Sequence, residues 1–92
     1  MTRPMEISRS RQAIFEALKA ATPHTFNDEM RRSFLADGLN LNLADLDMDS
    51  LAQMEFCIEI ELATEITIVP SQLAELASTD AIERRLQKTL GS

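Results

Sequence analysis

The chain has 92 residues, 45 % of them hydrophobic and 26 % charged, and its formal net charge at pH 7 is −6. We expect one domain over residues 1–92, with a core from about 7 to 90, and no deep enclosed active site, because a chain this short buries only about 60 % of its unfolded surface. Residues 35–69 contain eight acids and no basic residue, and such a segment repels nucleic acid and attracts partners with basic docking surfaces.

The first part of the chain predicts two helices. Residues 7–21 have the spacing of an amphipathic helix, with these apolar residues on or beside one face: Ile7, Ile14, Phe15, Leu18 and Ala21. A shorter helix is predicted over residues 28–37, since Asn27 is a good N-cap and Gly38 favours a C-terminal stop. The next stretch, 39–49, alternates apolar and polar residues, and we expect an extended loop whose leucines contact the core.

The second part of the chain predicts a central helix over residues 50–62 and a C-terminal helix. The β-branched run 66–69 is expected to be extended before Pro70 begins a short helical turn of about 70–76. The last helix is expected to have a cap, a capping box and one buried stripe: the cap at Thr79 or Asp80, the box partner at Glu83, and the stripe at Ile82, Leu86 and Leu90. These elements predict an all-α fold, a small bundle of three main helices plus short helical turns.

The central helix has two apolar faces. At about 100° per residue, its apolar side chains fall into two stripes on opposite sides: Leu51, Met54, Ile58 and Leu62 on one, and Phe56, Cys57 and Ile60 on the other. A surface helix buries only one stripe. Glu55 and Glu61 flank the first stripe, so we expect that stripe to face solvent and to bind other proteins. The alternative is a helix covered by neighbours on both sides.

Cys57 is the only cysteine, which excludes an internal disulfide and is typical of a protein in the reducing cytoplasm. The first residues of the chain contain no apolar h-region of a secretory signal. No apolar run is long enough to cross a bilayer. We therefore expect a cytoplasmic protein that does not enter a membrane.

Ser50 stands at the predicted start of the central helix, and several roles are open to it. The aspartates of 45–49 have the spacing of an EF-hand loop, but Ser50 replaces the required glycine and Phe56 the bidentate glutamate, so we expect no metal site. A serine hydrolase needs a base, and the only histidine, His24, lies in a predicted loop. A purely structural role is a helix N-cap at Asp49 or Ser50.

The remaining role for Ser50 is post-translational modification. A serine in the first turn of a helix is exposed, and the helix dipole favours a phosphate attached there. The chain has no catalytic residues of its own, so another protein would attach the group. The segment 43–86, above all the motif L-D-M-D-S-L at 46–51, resembles the acyl carrier proteins, whose signature at the start of the second helix is of the L-G-x-D-S-L type.

The resemblance implies that Ser50 carries 4'-phosphopantetheine, whose thiol holds acyl groups as thioesters. It implies two kinds of partner, namely a phosphopantetheinyl transferase and acyl-loading or acyl-processing enzymes with basic docking surfaces. The protein itself is then a carrier and not an enzyme. Partner contacts are expected at the start and along one face of the central helix: Asp49, Leu51, Met54, Glu55, Ile58, Glu59 and Glu61.

Two positions depart from the family pattern. Asp47 replaces the usual glycine, so the turn before Ser50 is expected to differ, and Ala52 replaces a common acid. The helix predicted at 28–37 is an addition within the first interhelical loop. We therefore expect a discrete, monomeric acyl carrier protein of a specialised pathway, such as polyketide synthesis, rather than the housekeeping fatty-acid carrier. A peptidyl or aminoacyl carrier protein and an unmodified acidic helical adaptor are the alternatives.

Overall fold

The computed structural model describes residues 9–90, except for the side chain of Leu90. Within this range the chain forms five α-helices: α1 (Arg9–Ala21), α2 (Asp28–Ala36), α3 (Ser50–Thr64), α4 (Pro70–Leu76) and α5 (Thr79–Leu90). A 3₁₀ helix, Leu43–Leu46, precedes α3, and the one β pairing in the described range is an isolated bridge between Asn42 and Ser78. The all-helical prediction is confirmed, although the described chain has five α-helices rather than three main helices with short turns.

The core lies mainly between α1 and α3, with α2 and α5 packed against α1. Ile14 and Leu18 of α1 and Phe56 and Ile60 of α3 are fully buried in one apolar cluster. Three aromatic rings pack at centroid distances of 5.7 to 6.4 Å, in the range of favourable ring pairs: Phe15 of α1, Phe26 of the following turn and Phe34 of α2. The aromatic group attaches α2 to the core.

The two helices predicted in the first part of the chain are confirmed over the described residues. α1 ends at Ala21, as predicted, whereas Ile7 lies outside the described residues. Asn27 caps α2, since its Oδ1 accepts a hydrogen bond from Met30 N at 2.9 Å. Gly38 follows the C-cap of α2 with a φ of 69°, a left-handed conformation that glycine adopts without strain.

The segment between α2 and α3 is held against the junction of α4 and α5. Leu41, Leu43 and Leu46 are buried, as predicted, but the last two belong to the 3₁₀ helix, so the prediction of a wholly extended loop is wrong. Leu41 N donates to Thr79 Oγ1 at 2.9 Å, and Thr79 N donates to Leu41 O at 2.9 Å. Leu43 N donates to Ala77 O at 2.8 Å. These hydrogen bonds fix the chain that leads into α3.

The start of α5 differs from the prediction. The helix begins at Thr79, and Ser78 occupies the N-cap position, because Ser78 Oγ accepts from Ala81 N at 3.3 Å and Ser78 O accepts from Ile82 N at 3.1 Å. The prediction of a cap at Thr79 or Asp80 is therefore wrong, and so is the prediction of a capping box between Asp80 and Glu83. Ser78 already caps the helix start, whereas Thr79 and Asp80 form hydrogen bonds with Leu41 and Asn40 in the segment between α2 and α3.

The backbone of Ala77, the C-cap of α4, is left-handed, and a substitution at this residue tests the turn between α4 and α5. Ala77 has a φ of 69° and a ψ of −20°, a conformation that costs an L-residue about 1–2 kcal/mol. Glycine avoids that cost in the folded state. It also gives the unfolded chain more conformational freedom, which lowers the free energy of unfolding by about 0.4–1 kcal/mol. We expect Ala77→Gly to raise the free energy of unfolding by about 0.5–1 kcal/mol. Urea denaturation followed by far-UV circular dichroism measures it, since the chain has no Trp or Tyr.

Ala74→Gly is the matched control for this prediction, because Ala74 is also exposed but lies inside α4. Glycine in a helix interior lowers the free energy of unfolding by about 0.5–1 kcal/mol. The two substitutions should therefore have opposite signs. Destabilisation by both would show that the backbone at Ala77 is not strained.

Candidate functional site

Ser50 is the first residue of α3, and it is exposed. The N-cap is Asp49, whose backbone is extended and whose Oδ1 accepts a hydrogen bond from Ala52 N at 2.8 Å. Asp49 O also accepts from Gln53 N at 2.9 Å. The capping role is therefore performed by Asp49, and Ser50 lies in the first turn, where the positive end of the helix dipole is strongest.

The turn before Ser50 contains a residue in the left-handed region. Asp47 follows the 3₁₀ helix with a φ of 54° and a ψ of 46°, and its N–H donates to Ala44 O at 3.3 Å. Glycine favours this conformation, and aspartate is one of the few other residues that adopt it. The position at which the resembled signature has glycine thus keeps a backbone that suits glycine.

Gln53 connects the first turn of α3 to the residues before it. Its Nε2 donates to Met48 O at 3.1 Å, and both residues are half-buried. Met48 in turn packs against the core. Sequence analysis did not identify Gln53, because a polar residue near a helix start has no periodic signal and its bonding partner is on the far side of Ser50.

α3 presents two apolar faces, as predicted. Phe56 and Ile60 are fully buried, and Cys57 is nearly so. The opposite stripe is open to solvent, with these exposed fractions: 74 % for Leu51, 53 % for Met54, 53 % for Ile58 and 73 % for Leu62. The alternative of a helix covered on both sides is therefore wrong.

Acids border the exposed stripe of α3. Glu55 and Glu61 are exposed, and Glu59 is half-buried. None of the ion pairs within residues 9–90 involves an acid of α3. Like charges four residues apart on a helix, such as Glu55 and Glu59, cost about 0.2–0.5 kcal/mol. These carboxylates slightly destabilise the helix and are available to pair with a base on another molecule.

A groove of about 300 Å³ opens beside the turn that precedes Ser50. It lies between the 43–48 segment, the first turn of α3 and helix α4. Eight residues line it, and all but Asp47 and Gln53 are apolar: Leu43, Ala44, Asp47, Met48, Gln53, Leu73, Ala74 and Ala77. The groove thus lies next to the turn that leads into α3, and its lining includes residues on both sides of Ser50 but not Ser50 itself.

Three further features of the described chain concern its chemistry. Burial raises the pKa of the Cys57 thiol, because the thiolate is disfavoured away from water, and a protonated thiol is a poor nucleophile. Within residues 9–90, no group of three or more His, Cys, Asp or Glu side chains is arranged to hold a metal ion. Over the same range, no helix combines the length and apolar character that a membrane span requires.

Residues 29–86 match the protein family described as "Phosphopantetheine attachment site". The matched segment contains Ser50, the groove, and all or most of each helix from α2 to α5. No curated protein and no solved structure matches the chain significantly. Because the family match covers more than half of the sequence, the chain belongs to this family of non-catalytic carriers, which hold 4'-phosphopantetheine covalently and work with phosphopantetheinyl transferases and biosynthetic enzymes.

Proposed function

We propose that Ser50 is the attachment residue and that the protein is an acyl carrier protein. The observation that supports this best is an exposed serine at the first position of α3, directly after the N-cap Asp49, within the segment that matches the family. The helix dipole at this position stabilises the negative charge of an attached phosphodiester.

The proposed modification is a phosphoryl substitution at Ser50. The serine Oγ attacks the phosphorus of coenzyme A that bears the pantetheine. A P–O bond to the serine forms, the pyrophosphate bond breaks, and adenosine 3',5'-bisphosphate leaves. The hydroxyl proton passes to a base of the transferase, since a serine hydroxyl needs a base to become nucleophilic. When bound, the group supplies a terminal thiol that holds acyl groups as thioesters.

The exposed stripe of α3 is proposed as the surface that the transferase and the acyl-processing enzymes bind. Methionine in this stripe adapts to partners of different shape. A partner with a basic docking surface would neutralise acids that have no ion pair within residues 9–90, and the charges would accelerate the encounter. The proposed contacts are the apolar Leu51, Met54 and Ile58 and the acidic Asp49, Glu55, Glu59 and Glu61.

An acyl rather than an aminoacyl cargo is supported by the groove beside Ser50. Its walls are mainly apolar, and they suit an aliphatic chain better than a charged amino group, which loses its hydration there. The departures at Asp47 and Ala52 support a specialised pathway, such as polyketide synthesis, over housekeeping fatty-acid synthesis. We further propose that the protein acts as a monomer in the cytoplasm, where the thiol of Cys57 stays reduced.

Ser50→Ala tests the proposed attachment. Wild type and variant are incubated with coenzyme A, Mg²⁺ and a broad-specificity phosphopantetheinyl transferase, and their intact masses are recorded. We expect one phosphopantetheine on the wild type and none on Ser50→Ala, because the variant has no hydroxyl at the attachment position. The thermal unfolding of the variant should be nearly unchanged, since Ser50 is exposed and Asp49 still caps α3.

Ser71→Ala is the matched control, because Ser71 is an exposed serine in the first turn of another helix, α4. It should be modified as fully as the wild type. Modification that persists in Ser50→Ala would show that another residue carries the group. A wild type that stays unmodified with several different transferases would favour the unmodified acidic adaptor.

A further inference from the structure

We propose that Gln53 is a positioning residue for the transfer to Ser50. By holding the carbonyl group of Met48, it fixes the backbone from which the serine hydroxyl projects. The inference rests on the proposed attachment at Ser50 and adds a residue outside the attachment motif at 46–51.

The hydrogen bond of Gln53 spans the attachment serine. Gln53 Nε2 lies 3.1 Å from Met48 O, and a carbonyl oxygen only accepts, so the amide nitrogen must face it. On the other side, Gln53 N donates to Asp49 O at 2.9 Å. Gln53 thus bonds to both residues that immediately precede Ser50, once through its side chain and once through its backbone.

The turn before Ser50 needs such a constraint. Asp47 is exposed and holds a left-handed conformation, which few residues other than glycine, asparagine and aspartate adopt. Asp49 is also exposed, and the half-buried Met48 between them is the residue of this turn that packs against the core. We expect the Met48 carbonyl group to gain rotational freedom when the bond from Gln53 is lost.

Rotation of that peptide would disturb the reaction geometry. A phosphoryl transfer requires the attacking oxygen to be aligned with the phosphorus, and a misplacement of about 1 Å can reduce the rate roughly 100-fold. Gln53 and Met48 also line the groove beside Ser50. The same hydrogen bond therefore joins two residues of the groove wall across the turn that leads into Ser50.

Gln53 differs from the residues proposed to bind partners. Its side-chain amide is already engaged in a hydrogen bond within the chain, whereas the acids of α3 proposed to bind partners form no ion pair within residues 9–90. Loss of a docking contact raises KM, whereas loss of a contact that matters only in the transition state lowers kcat. The two roles are therefore distinguished by kinetics.

Gln53→Met tests the proposal, since methionine keeps the length and helix propensity of glutamine but has no donor. The kcat and KM of a broad-specificity phosphopantetheinyl transferase for the carrier are measured at saturating coenzyme A, together with the Tm of the carrier. We expect kcat to fall about three- to tenfold, equivalent to one lost hydrogen bond. KM should stay within about twofold and Tm within a few degrees, because the residue is not a partner contact.

Gln12→Met is the matched control. The amide of Gln12 donates to Glu16 at 3.1 Å on the exposed side of α1, so its loss should leave both kinetic constants unchanged. Gln53→Glu is a second variant, whose carboxylate cannot donate to Met48 O and should lower kcat in the same way.

The outcomes separate this inference from the proposed function. An increase in KM at constant kcat, no kinetic change, or unfolding of both Gln53 variants would overturn the positioning role and leave the attachment at Ser50 intact. Absence of modification on the wild type would instead overturn the attachment on which the inference depends.

Discussion

Phe56→Ala should lower the free energy of unfolding by about 3–5 kcal/mol. Phe56 is fully buried on the core side of α3, and alanine leaves a cavity that the neighbouring side chains fill only in part. A domain of this size is stable by only roughly 5 kcal/mol or a little more, so the variant should be partly or wholly unfolded. Far-UV circular dichroism during urea and thermal denaturation measures the loss.

Met54→Ala is the matched substitution on the opposite face of α3. Met54 is 53 % exposed, and both residues are good helix formers, so the free energy of unfolding should fall by less than about 1 kcal/mol. The rate of Ser50 modification should nevertheless fall, because binding energy concentrates in central apolar contacts. If Met54→Ala unfolds the protein while Phe56→Ala leaves it intact, the two faces of α3 have been assigned the wrong way round.

Features that depend on one helix at a time could be predicted from the sequence. The two faces of α3 follow from residue spacing alone, since a 100° rotation per residue puts Met54 and Phe56 on different sides. The start of α2 follows from the side chain of Asn27, which caps the first turn, and its end follows from Gly38, which has no Cβ and adopts a left-handed conformation without strain. Ser50 was identified in a different way, because its neighbours resemble a family signature and N-cap chemistry alone is too common to indicate attachment.

Features that join distant segments could not be predicted. The groove beside Ser50 exists because α4 lies against the 43–48 segment, and no periodic pattern tells which segments meet. The alternation of leucines with other residues in this segment predicts an extended conformation, although part of the segment forms a 3₁₀ helix. Ser78 rather than Thr79 or Asp80 caps α5, and Thr79 instead forms hydrogen bonds with Leu41 in the segment between α2 and α3.

Arg11 is a second residue that no sequence pattern identified, and it joins three parts of the fold. It is 8 % exposed. Its Nε donates to Phe34 O at 3.0 Å, its Nη2 to Leu39 O at 2.6 Å, and its Nη1 to Glu83 Oε1 at 2.6 Å. The guanidinium carbon also lies 3.8 Å from the centre of the Phe34 ring. One side chain of α1 thus connects α2, the following loop and α5.

Arg11→Met should therefore lower the free energy of unfolding by about 2–4 kcal/mol. The substitution keeps an apolar stem but removes the cation from two carboxylates, Glu83 at 2.6 Å and Asp80 at 3.8 Å, and the donors from two carbonyl groups. The loss is set below that of a fully buried ion pair, because the Glu83 side chain is 18 % exposed and retains some hydration. Urea denaturation measures it against Arg32→Met, an exposed arginine of α2 whose replacement should change stability by less than about 0.5 kcal/mol.

A double-mutant cycle with Glu83→Gln separates the ion pair from the carbonyl bonds. The double variant should be more stable than the sum of the single losses predicts, by about 1–3 kcal/mol, since the second substitution removes a charge that has already lost the guanidinium. The bonds to Phe34 O and Leu39 O are lost in every variant without Arg11, so the coupling accounts for only part of the effect. A coupling near zero would mean that the ion pair between Arg11 and Glu83 adds nothing to stability, and that the effect of Arg11→Met comes from the other contacts of Arg11, among them the carbonyl bonds, the ring contact and the longer ion pair with Asp80.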